Sequence, residues 1–93
     1  MTDYRIFETD EFQRNLQKLD ARQRAFVESK LKRYVYPQLR IQPYLGPNIK
    51  KLRANQPETW RYRIGRVRIF YGIEEPNRIV NILTVDHRKD AYR

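Results

Sequence analysis

The chain contains no cysteine. Disulfides, thiolate nucleophiles and cysteine-based zinc sites are therefore excluded. Histidine occurs once, at His87, which leaves only scattered carboxylates as further metal ligands. No metal site and no cofactor is expected. There is no repeat, low-complexity tract or linker. No apolar run approaches the roughly 20 residues that span a bilayer. The opening Met1-Thr2-Asp3-Tyr4-Arg5 lacks the basic and apolar regions of a secretory signal. A cytoplasmic location with no membrane partner is the expectation.

What is present is a compact amount of chain with a strong charge bias. Ninety-three residues make one domain, 1–93, and the 40% hydrophobic share suits a folded core. Lys and Arg outnumber Asp and Glu by 20 to 11, giving a net charge of +9 and a pI near 10.2. Such an excess attracts polyanions and says nothing about fold. Nucleic acid is the first partner class to consider. An acidic protein or an anionic surface follows the same logic.

Hydrophobic spacing orders the elements. Tyr4 to Phe7 reads as a first strand. Asp10, with Gln13 three residues on, reads as an N-cap, and Phe12, Leu16 and Leu19 recur at helical spacing, so a helix is predicted over Glu11–Leu19. Asp20 and Gln23 repeat the signal before a second helix over Ala21–Tyr36. Its buried stripe is predicted as Val27, Leu31, Tyr34 and Val35, with Phe26 at the edge. Pro37 should end it, because proline disfavours helical geometry in the residue before it. The stretch from Gln38 to Gln56 reads as a loop with a short turn. Beyond it the period becomes two: Trp60, Tyr62 and Ile64 on one face, Arg61 and Arg63 on the other, then a turn at Gly65-Arg66, then Val67, Ile69 and Tyr71 alternating with Arg66, Arg68 and Phe70. After a turn at Glu75-Pro76-Asn77, the segment Arg78 to Asp86 is apolar on both faces, as in a strand covered on both sides. The predicted class is α+β: an N-terminal strand, a helical hairpin, then a three-stranded antiparallel meander, with the helices on one sheet face.

Two groups of residues could carry chemistry. Arg61 and Arg63 share one strand face. A two-residue hairpin is expected to set Arg63 near Arg66 and Arg61 near Arg68. Like charges opposite one another destabilise a sheet. Four guanidinium groups together therefore point to a bound anion, and the planar arginine fork suits phosphate. Lys50, Lys51 and Arg53 extend this basic set and are candidate RNA contacts with Arg66. The plain alternative is an open sheet face of solvated arginines. The second group is the closing His87-Arg88-Lys89-Asp90-Ala91-Tyr92-Arg93. His87 could act as an acid or base near neutral pH, and Tyr92 could stack on a base or move a proton. The plain alternative there is a polar tail.

The run from Lys50 to Arg93 resembles the C-terminal half of RelE-type toxins. The resemblance lies in Lys51-Leu52-Arg53 before the sheet, Trp60 opening a strand, Arg61 and Arg63 along it, Arg68 with Tyr71 on its neighbour, and His87-Arg88 with Tyr92 at the close. It implies a RelE-like fold and a metal-independent endoribonuclease, an mRNA interferase acting at the ribosomal A site. The substrate's own 2′-OH attacks the adjacent phosphate, leaving a 2′,3′-cyclic phosphate and a 5′-OH. By this resemblance Arg61, Arg63, Arg68, His87, Arg88 and Tyr92 form the catalytic set. The partners it implies are mRNA, the ribosome and a cognate antitoxin in a hetero-oligomer. Arginines stand where RelE has lysines on the strand, and an arginine, with a pKa above ~12, is a poor general base. That shifts proton abstraction toward His87 or Tyr92. Two alternatives remain open at this stage: a ParE-like toxin directed at gyrase, which shares the fold, and a non-catalytic basic nucleic-acid-binding module.

Overall fold

A computed structural model of the chain describes residues 3–53 and 56–87. Strand β1 (Arg5–Glu8) leads to helices α1 (Asp10–Gln17) and α2 (Ala21–Lys30). A five-residue π turn (Leu31–Val35) runs directly into α3 (Tyr36–Ile41). Strands β2 (Ile49–Lys51), β3 (Trp60–Ile64), β4 (Val67–Glu74) and β5 (Ile79–His87) follow. They form one sheet in the order β1-β5-β4-β3-β2. Neighbours from β2 to β5 are antiparallel, and β1 lies parallel to β5. The α+β class, the helical hairpin and the meander β3-β4-β5 match the sequence reading. The stretch read as a loop differs: it holds the later part of α3 and the short edge strand β2.

The helix boundaries show which local signals won. The first cap is Thr9, not Asp10. Thr9 Oγ1 accepts from the Phe12 N–H at 3.2 Å and itself donates to the Ile82 carbonyl of β5 at 2.8 Å. Asp10 becomes the first helical residue, where a negative charge suits the positive end of the helix dipole. Asp20 caps α2 as its sequence predicts, accepting from the Gln23 N–H at 2.8 Å. Pro37 does not end the helix. Having no N–H, it cannot bond back to the preceding turn, and the chain widens into the π turn just before it, with Tyr36 N–H reaching the Leu31 carbonyl. Pro37 then sits in the first turn of α3, where no donor is needed.

The same widening aligns the core. Val27, Leu31, Val35 and Leu39 are spaced by four, and each such step drifts about 40° around an ideal helix. The π turn takes back part of the drift, so all four side chains are buried. Tyr34, predicted on this stripe, is instead 55% exposed, and Phe26 is 47% exposed. Lys30 Nζ lies over both rings, 5.1 Å from the centre of Tyr34 and 5.5 Å from that of Phe26. The helix stripe, with Phe12 and Leu16 of α1, packs on Trp60, Tyr62, Val67, Ile69, Tyr71, Val80, Ile82 and Val85 of the sheet. Each fully buried large apolar side chain contributes about 1.5–3 kcal/mol.

The polar groups in this layer are matched. Tyr62 donates to Gln38 Oε1 and Tyr71 to the Pro43 carbonyl, both at 2.8 Å. Burial pushes the Tyr71 hydroxyl above its ordinary pKa, with Tyr62 adding to the effect. Burial and the hydrogen bond to Glu8 do the same for Tyr36. Glu75, in the turn after β4, accepts from both Tyr4 and Tyr44. Among the described residues no helix is long and apolar enough to cross a membrane.

Candidate nucleic-acid interface

The β3–β4 hairpin turns on Gly65, whose φ of 57° is the left-handed geometry a two-residue turn requires. Both Gly65 and Arg66 are used in the turn, so Ile64 pairs with Val67. Arg63 therefore faces Arg68, and Arg61 faces Phe70. The pairs expected from sequence, Arg63 with Arg66 and Arg61 with Arg68, are displaced by this register. Arg66 sits exposed at the hairpin tip.

Residues paired across strands share a face. The face opposite the helices thus carries two rows. One runs Arg63, Arg68, Asp86 across β3, β4 and β5; the other runs Lys50, Arg61, Phe70 across β2, β3 and β4. Neighbouring strands lie about 4.8 Å apart, so the cations in each row are close. Arg63 and Lys50 are exposed, and Arg61 is half-buried. The Arg68 side chain is 21% exposed, with its guanidinium 5.4 Å from the Phe70 ring centroid and an ion pair from Nη2 to Asp86.

A β-bulge decides which residues of β5 join this face. Tyr71 pairs with Ile82 but Phe70 pairs with Thr84, so Leu83 is the extra residue. An unbulged β5 would set Val85 opposite Arg68. The bulge reverses the alternation beyond Leu83, sending Val85 into the core and Asp86 to the arginines. It also explains the run of apolar residues in β5. The strand is buried on the helix face, while Ile79 and Asn81 on the other face stay partly exposed, so it is not covered on both sides as the sequence reading has it.

The predicted site residues separate accordingly. Arg61, Arg63, Arg68 and Lys50 are brought onto one face. His87 pairs with the core residue Val67 and lies on the helix face, its Nε2 3.2 Å from Gln23 Nε2 of α2. Lys51 pairs with Trp60, whose ring it overlies at 5.5 Å, and forms an ion pair with Glu58 at 2.9 Å. Arg53 is exposed in the turn after β2. Arg88 and Tyr92 lie outside the described residues. Phe70 and Asp86 belong to the face and were not among the predicted residues. Phe70 was visible through its spacing of two from Arg68. Asp86 was not, because its side depends on the bulge. Among the described residues no three His, Asp or Glu side chains gather as metal ligands would.

The guanidinium rows lie on the open face of a mixed sheet whose fold is that of a RelE/ParE-type toxin. The chain belongs to the ParE toxin family of type II toxin-antitoxin systems, whose family model matches residues 6–92. No curated protein matches it. Among solved structures it is similar to the toxin-antitoxin complex RelBE2 from Mycobacterium tuberculosis, at 30% identity and a TM-score of 0.73, covering 92% of this chain and 99% of that one. The archaeal RelE-RelB complex from Pyrococcus horikoshii is 25% identical, with a TM-score of 0.56 and coverage of 96% and 98%. A mutant of the Escherichia coli toxin RelE in the free state, 19% identical with a TM-score of 0.66, covers 99% of this chain and 90% of its own. That last likeness is one of fold.

Proposed function

We propose that this toxin is a metal-independent endoribonuclease that cleaves mRNA at the ribosomal A site, using the arginine face of its sheet. The observation that carries this reading is the pair of rows built from Lys50, Arg61, Arg63 and Arg68 on the face left open by the helices. Like charges held opposite one another cost stability unless an anion lies over them. A phosphodiester fits, since guanidinium forks bind phosphate oxygens in pairs. In the reaction, Arg61 and Arg63 bind the phosphate and the attacking 2′-oxygen, and Arg68 stabilises the charge that grows on the phosphorane. Phe70, between Arg61 and Arg68 on the surface, offers a ring on which a base can stack. His87, Arg88 and Tyr92 are the further members of the catalytic set by resemblance, and His87 would need to be approached from the helix side.

The solved relatives that are complexes with RelB support an antitoxin partner for this chain as well, in a hetero-oligomer. An acidic antitoxin segment complements the +9 charge. The toxin is then a cytoplasmic protein that meets mRNA and ribosome when the antitoxin is lost.

A second reading has a specific observation behind it: the matching family is that of ParE toxins. In that reading the target is gyrase, and the basic face serves a protein or DNA contact. Induced expression of wild type and Arg68→Ala, with 5′-end mapping of cellular mRNA and a supercoiling assay on purified gyrase, tests the two. Cuts within reading frames that disappear in Arg68→Ala support the nuclease. Growth arrest with intact mRNA and inhibited supercoiling supports the gyrase reading instead.

A further inference from the structure

We propose that Asp86 is the general base of the cleavage reaction, taking the proton from the attacking 2′-OH. This rests on the ribonuclease reading above and supplies the group that reading lacks. Guanidinium groups on the face cannot serve as bases at neutral pH. His87 faces the helices, against Gln23. Asp86 is the carboxylate in register with the arginine rows, at the end of the row Arg63, Arg68, Asp86. Glu74, the acid of β4, sits six residues from Arg68, roughly 20 Å along the strand.

The geometry suits the role in three ways. The Asp86 side chain is 46% exposed, so a ribose hydroxyl can reach it from solvent. Its ion pair with Arg68 fixes the carboxylate beside the group that would hold the phosphate. The charged groups facing it among the described residues are Arg68 and, one strand further, Arg63. The bulge at Leu83 is what places it there, and bulges commonly re-aim a side chain beside an active site.

The step balances without a metal. The 2′-O–H proton passes to the Asp86 carboxylate as the 2′-oxygen bonds to phosphorus. The bond from phosphorus to the 5′-oxygen breaks, and that oxygen takes a proton from water. The products are a 2′,3′-cyclic phosphate and a 5′-OH, and Asp86 returns its proton to solvent.

The test compares wild type and Asp86→Asn, which keeps the size and the hydrogen-bonding oxygen. Single-turnover cleavage of ribosome-loaded mRNA is followed from acid to neutral pH, and binding of a 2′-O-methyl RNA oligonucleotide, which cannot be cut, is measured alongside. Expected is a loss of about 10²–10⁴-fold in the single-turnover rate, the contribution of a general base. The acidic limb of the wild-type profile disappears in the variant, while binding of the uncut RNA stays the same or tightens. A variant that keeps its rate and its acidic limb overturns the inference. So does a variant whose rate falls only as much as its RNA binding, since Asp86 would then merely position Arg68. A wild type that binds RNA and cuts none defeats the ribonuclease reading itself, a separate result.

Discussion

The two faces of one sheet are built from alternate residues of the same strands and meet opposite demands. On the helix side, Ile69, Tyr71, Val80 and Ile82 are fully buried under Phe12, Val27 and Val35. On the opposite face, alternating with the core residues of β3 and β4, stand Arg61, Arg63 and Arg68 with like charges side by side. The first face supplies stability. The second gives some of it up, because neighbouring cations repel. A face of like charges that costs stability fits the use proposed for it outside the fold, and an excess of positive charge suits a polyanion.

Breaking the comparison from the buried side should give the largest effect. Phe12→Ala leaves a cavity under the sheet and should cost about 3–5 kcal/mol in urea unfolding. On the open face, Arg68→Ala removes a largely covered stem and an ion pair and should cost about 1 kcal/mol, well below Phe12→Ala. It should lower RNA cleavage by about 10²–10³-fold, the scale of losing one donor to a transition-state oxyanion. If Arg68→Ala destabilises the protein as much as Phe12→Ala, the two faces are not distinct in role.

Thr9→Ala sharpens the contrast, because Thr9 touches both tasks. Its hydroxyl caps α1 and donates to the Ile82 carbonyl beside the bulge, with a second contact to Leu83 at 3.1 Å. Loss of the cap should cost about 1 kcal/mol. A drop in RNA cleavage beyond that loss would show that the bulge needs its anchor to hold Asp86 in place.

The smallest effect is expected at the turn after β4. Hydrogen bonds from Tyr4, then Tyr44, with the Arg78 charge adding, hold the Glu75 carboxyl below its ordinary pKa. Its folded value is thus lower than its unfolded one. The stability it lends is present above the unfolded value, near ~4.3, and is lost as pH falls through the folded value. Glu75→Gln should therefore lower the urea midpoint slightly at pH 7 and leave it unchanged near pH 2. A variant that lowers the midpoint equally at both pH values would place the loss in packing instead of charge.

How much of this could be read from sequence follows from which signals are local. The alternation Trp60-Arg61-Tyr62-Arg63 announced both faces, since a strand has a period of two. Asp20 and Gln23 announced a cap by their spacing. Failures came where tertiary context decides. Pro37 looks like a helix stop, yet a π turn absorbs its missing donor. Ile49–Lys51 is too short to show a period and becomes a strand only by pairing with β3. The arginine pairs were misassigned by counting Arg66 into the strand when it belongs to the turn. The faces of Asp86 and His87 depend on the bulge, which inserts one residue, and nothing in RIVNILTVDH marks Leu83 as the extra one.

The most direct test of the arginine face is the salt dependence of RNA binding. A 2′-O-methyl oligonucleotide, which cannot be cut, would be titrated with wild type at several salt concentrations. For single strands the logarithm of affinity falls by about 0.7 per phosphate neutralised for each unit in log salt. If Lys50, Arg61, Arg63 and Arg68 each hold a phosphate, the slope should be near −3, and Arg61→Ala should reduce it by about 0.7. A slope that ignores Arg61→Ala and Arg63→Ala but falls on replacing Lys30 and Lys32 of the helical segment would place the RNA on the other side of the molecule and contradict the account.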